Sequence, residues 1–65
     1  MIEVIETVLP HRRDRMRQIE RALCHDSRVA DYWLDDYTIT AIVDVVSRDE
    51  ARAILAECIY GRPRA

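Results

Sequence analysis

The residues of this chain that could do chemistry are few and scattered. Cys24 and His25 are adjacent, Cys58 follows far along the chain, Asp35 and Asp36 make one carboxylate pair, and Arg13, Arg17 and Arg21 recur at every fourth position. A nucleophilic thiol needs a base within hydrogen-bond reach. Neighbours on a helix point about 100° apart, so Cys24 and His25 read as a thiol beside a surface histidine rather than a dyad. A structural metal needs three or four convergent ligands. Cys24, His25, Asp26 and Cys58 converge only if two helix C-termini meet, and no CxxC pair is present. Asp35 and Asp36 fit a solvated turn. The sole glycine, Gly61, excludes both a dinucleotide-binding GxGxxG and a P-loop. The expectation is a protein without catalytic residues, metal or cofactor.

Two surfaces remain. Arg13, Arg17 and Arg21 form a cationic stripe opposite the apolar positions Met16, Ile19 and Leu23, a face suited to phosphates or to an acidic protein. Net charge argues against generic nucleic-acid binding: ten cations, all arginine, stand against twelve carboxylates, for a balance of −2. The absence of lysine reads as codon bias of a GC-rich genome. Charge is also segregated, with +3 over residues 10–25 beside −4 over residues 26–46. The second surface is a strand face carrying Trp33, Val29 and Ile42 with Thr38 and Thr40, unusually apolar for a face left in water, and such patches are commonly interfaces.

The elements that must position these residues follow from pattern. Ser47 with Glu50 is a capping box. Ala51, Ile54, Leu55, Cys58 and Ile59 then recur at helical spacing up to Gly61, which predicts a helix over 48–60. A second helical pattern covers Pro10 to His25. Between them, Val29 to Leu34 and Tyr37 to Val46 are rich in β-branched and aromatic residues and predict a hairpin turning at Asp35 and Asp36. That turn pairs Leu34 with Tyr37, Tyr32 with Ile39 and Ala30 with Ala41 on a core face, with a slip of one or two residues at the tip left open because Asp-Asp lacks the glycine a tight primed turn prefers. Trp33 with Thr38, Asp31 with Thr40 and Val29 with Ile42 then lie on the other.

Residues 2–9 suit a strand by their β-branched content, or a helix through Ile2, Ile5 and Leu9. The chain is thus expected to be one α+β domain over residues 1–65, a two-layer β-α-β-β-α sandwich, or α-β-β-α, with an antiparallel hairpin and two helices. The first order is that of a ferredoxin-like sandwich without its final strand. In outline it resembles the small heavy-metal-associated domains. Their CxxC at the start of the first helix is replaced here by Pro10, His11, Arg12 and Arg13, so the resemblance implies fold and no metal function.

At 65 residues, burial and conformational entropy nearly cancel, so a homodimer or a partner protein is expected to supply further burial. No apolar run approaches the ~18 residues of a membrane span. The start lacks the basic region and cleavage site of a signal peptide. The cysteine usage fits a reducing compartment, and the expected location is cytoplasmic. The functional expectation is a small protein-protein interaction module: an adaptor, modulator or inhibitor of a bacterial or phage process. The alternative is a nucleic-acid-associated accessory factor using the arginine face.

Overall fold

The computed structural model describes residues 1–8 and 14–61. In chain order the elements are β1 (Ile2–Thr7), α1 (Met16–His25), β2 (Val29–Leu34), β3 (Thr38–Val43) and α2 (Arg48–Tyr60). The strands form one antiparallel sheet in the order β1-β3-β2. Because β1 and β2 both oppose β3, they run parallel to each other and α1 is the crossover between them, a split β-α-β arrangement. The β-α-β-β-α order is the first of the two expected from sequence.

The N-terminal segment is a strand because its side chains alternate with period two. Val4 is buried at 2% exposure while its neighbour Ile5 is 60% exposed. A helix would place Ile2, Ile5 and Leu9 on one side, whereas pairing with β3 sends Ile5 outward and Val4 inward. The buried centre is built from Val4 and Val8 of the first segment, Ile39, Ala41 and Val43 of β3, Ile19 and Leu23 of α1, and the apolar stripe of α2. Both helices pack on this one sheet face, α2 chiefly over β1 and α1 over β2.

Helix α2 has the bounds its punctuation predicts. The Ser47 hydroxyl accepts from the Glu50 backbone N–H at 3.5 Å, and Asp49 and Glu50 occupy the positive end of the helix dipole. Gly61 ends it with φ 86° and ψ 166°, a conformation essentially restricted to glycine, and its N–H donates to the Glu57 carbonyl. Helix α1 is shorter than the sequence suggests. Regular helix starts at Met16 after a 3₁₀ turn at Asp14 and Arg15, and the N-cap Arg15 makes no side-chain capping hydrogen bond. The cations Arg15 and Arg17 oppose the positive helix N-terminus. Arg13 and the expected first turn at Pro10 lie outside the described residues.

The hairpin corrects the expected register. Leu34 pairs with Ile39, Tyr32 with Ala41, Trp33 with Thr40 and Asp31 with Ile42, each partner two residues beyond the expected one. The turn consists of Asp36 and Tyr37, closed by the Asp35 N–H donating to the Thr38 carbonyl at 2.9 Å. Asp35 Oδ1 accepts from the Asp36 N–H at 2.8 Å, so an aspartate takes the first position of the turn, where aspartate is favoured. A shift of two preserves the faces of Tyr32, Trp33 and Leu34. An irregularity between Val29 and Asp31 then reverses Val29, which pairs with Val43 and packs against the core instead of joining the outer face. Strand β3 also ends at Val43, short of the expected Val46.

Candidate functional site

Strand alternation turns one set of side chains away from both helices. The register aligns them in rows across the sheet: Glu3, Ile42 and Asp31; Ile5, Thr40 and Trp33; and Thr7 with Thr38. In the middle row Ile5 and Trp33 are 60% and 52% exposed, flanking the half-buried Thr40. Ile42 is half-buried in the row beside them, between the exposed carboxylates Glu3 and Asp31. The result is an apolar centre with an acidic margin.

Of the five residues expected on this face, Trp33, Ile42, Thr38 and Thr40 lie together and Val29 does not. Ile5 is the member the sequence reading missed. Its signal was the alternation of Val4, Ile5 and Glu6, masked because the same apolar residues also fit helical spacing.

Arg17 and Arg21 are exposed along α1, and His25 continues their four-residue spacing. They border a shallow depression of about 380 Å³ that also includes Glu20, Cys24 and Tyr32. The Tyr32 hydroxyl titrates above its ordinary range, first through desolvation and then through nearby Cys24, Glu20 and Asp31.

The C-terminal ends of the two helices do meet, and the residue that joins them is one the sequence reading passed over. Arg28 donates from Nε to Asp26 Oδ1 at 2.9 Å and from a terminal nitrogen to Asp26 Oδ2 at 2.7 Å, a two-pronged pair. The same nitrogen reaches Glu57 Oε2 of α2 at 3.1 Å. These bonds to Asp26 and then Glu57 hold the guanidinium even more firmly protonated than usual. The Cys58 thiol lies 3.9 Å from Asp26 Oδ2. Burial, followed by the Asp26 charge, raises its pKa above the ordinary value. A thiol so placed is a poor nucleophile, since the thiolate is the reactive form. Cys24 points to solvent on α1, and both cysteines are free. Among the described residues no group of three or more His, Cys, Asp or Glu side chains is arranged to hold a metal, and no helix is long and apolar enough to cross a membrane.

No protein-family model matches the chain, and neither a curated protein nor a solved structure shows significant similarity to it.

Proposed function

We propose that this protein is a non-catalytic protein-interaction module whose working surface is the open sheet face centred on Trp33. The observation that carries this reading is the row Ile5, Thr40 and Trp33, in which two large apolar side chains stand more than half exposed on a face that neither helix covers. Tryptophan is enriched among the few interface residues that dominate binding energy, and a polar margin around an apolar centre is the usual anatomy of a protein interface. The face closes on a different protein or on a second copy of the chain, and the mass of the complex separates these cases.

Affinity capture with the wild type, Trp33→Ala and Ile5→Asp as parallel baits tests the proposal. A protein retained by the wild type and lost by both variants, with unchanged far-UV circular dichroism, supports it. Retention unaffected by either substitution removes the face from the function. A nucleic-acid-associated role through α1 is the second reading, favoured by the exposed row Arg17, Arg21 and His25 and opposed by Glu20 beside it and by the net charge of −2. Capture abolished by nuclease treatment and by Arg17→Gln with Arg21→Gln would select it.

A further inference from the structure

Both outer strands of the sheet have a free side among the described residues, and they differ in a way that matters. The β2 side is interrupted by the bulge between Val29 and Asp31, a device that twists an edge away from further pairing. The β1 side has a continuous register from Ile2 to Thr7, with no bulge and no proline. The Val8 N–H donates to the Tyr37 carbonyl at 2.6 Å, continuing the β1 to β3 register. By the alternation of antiparallel hydrogen bonding, residues 2, 4 and 6 direct their backbone groups to β3, and Glu3, Ile5 and Thr7 direct theirs outward. These outward groups form a template for another strand.

We infer that the β1 edge binds an extended, cationic segment of the partner protein by strand addition. This deepens the interaction reading above by naming the form and charge of what is bound. Charge selects the occupant. Strand β1 carries Glu3 on the outer face and Glu6 on the inner face, with no cation in the strand. A basic residue opposite each glutamate gives favourable cross-strand pairs, and an acidic one gives repulsion. Ile5 belongs both to this edge and to the row containing Thr40 and Trp33. An added strand therefore sets an apolar residue beside Ile5 and extends the exposed patch rather than occupying a separate site. A second copy pairing through its own β1 fits poorly. Each α2 lies over its β1, and strands about 4.8 Å apart would force together helices that need 8–10 Å.

The probe is a synthetic peptide reading Thr-Lys-Ile-Val-Lys from N- to C-terminus within neutral flanks, antiparallel to β1, so that its lysines oppose Glu6 and Glu3. Titration into ¹⁵N-labelled full-length protein should shift the amides of Glu3, Ile5 and Thr7 most. A peptide with both lysines replaced by glutamate should bind roughly tenfold or more weakly, from two reversed cross-strand pairs. Ile5→Pro deletes an outward N–H that β3 does not use, and should abolish the shifts while the sheet persists. If that variant does not fold, N-methylation of the peptide amide opposite Ile5 makes the same deletion from the other side. Equal binding of the acidic peptide, shifts centred on β2 or α1, or no shifts at millimolar peptide would overturn strand addition. Any of these results, with capture still lost in Trp33→Ala, would leave the reading of the open face standing.

Discussion

Trp33 and Tyr32 are adjacent aromatics with opposite fates, because successive strand residues face opposite sides. Trp33→Ala should leave the fold intact and cost an association about 2 kcal/mol or more. Tyr32→Ala should lower folding stability by about 2 kcal/mol, the low end for truncating a large apolar side chain, because Tyr32 is only half-buried. Chemical denaturation separates the two variants. Trp33 is the only tryptophan, so its emission also reports binding directly, being red-shifted in the free folded protein and blue-shifted on association. The thiols give a second residue-scale prediction. Cys24 is exposed and should react with a thiol reagent in the native state, whereas Cys58 should react only on opening. The folded pKa of Cys58 lies above its ordinary value of 9.0 and that of Tyr32 above 10.0. Folding therefore favours their protonated forms, and this contribution is complete below those values and declines as pH rises through the folded pKa of each. Thermal melts should show the protein losing stability on the alkaline side, less so in Cys58→Ala relative to its own neutral value.

At the scale of elements, legibility followed the density of local signals. Helix α2 was readable to the residue because Ser47 and Gly61 mark its ends and the apolar stripe between them has a single period. Ser47→Ala should cost about 1 kcal/mol through the lost N-cap. Gly61→Ala should cost about 1–3 kcal/mol from backbone conformation alone, since a Cβ there meets nothing within 4 Å; urea titration checks both. The hairpin strands were readable, but their pairing was decided by which aspartate opens the turn, and Asp35-Asp36 offers two equivalent candidates until the side-chain bond to the Asp36 N–H distinguishes them. The bulge that turned Val29 inward had no local signal. It belongs to the tertiary accommodation of Arg28, whose carbonyl accepts from the Asp44 N–H at 2.7 Å while its side chain reaches Glu57. Such non-local requirements also explain why Ile5 escaped notice: its neighbours in the exposed row come from strands more than 25 residues later.

At the scale of the whole molecule, two exposed charged regions concern the proposed surfaces, Arg17 and Arg21 of α1 and the carboxylates Glu3, Asp31, Asp35 and Asp36 on the sheet and its turn. Arg17→Gln with Arg21→Gln should leave folding unchanged. With a protein partner it should slow association mainly at low salt. With nucleic acid it should weaken binding to all sequences and reduce the salt slope by about two. Light scattering at micromolar concentration tests self-association, and a dimer that dissociates in Trp33→Ala would make the second copy an occupant of the open face.

The sheet order has a consequence for how the chain is made. Strand β1 is synthesised before its pairing partner β3, with α1 and β2 in between, and α2, which covers it, comes later still. Only the β2–β3 hairpin can form from sequence neighbours. Strand β1 must therefore wait with both sides unpaired until β3 and α2 have emerged, the circumstance in which nascent chains aggregate or recruit chaperones. Glu3 and Glu6, spaced along that strand, act as gatekeepers during the wait. Their replacement by alanine should lower soluble yield on overexpression more than it lowers the stability of protein already folded.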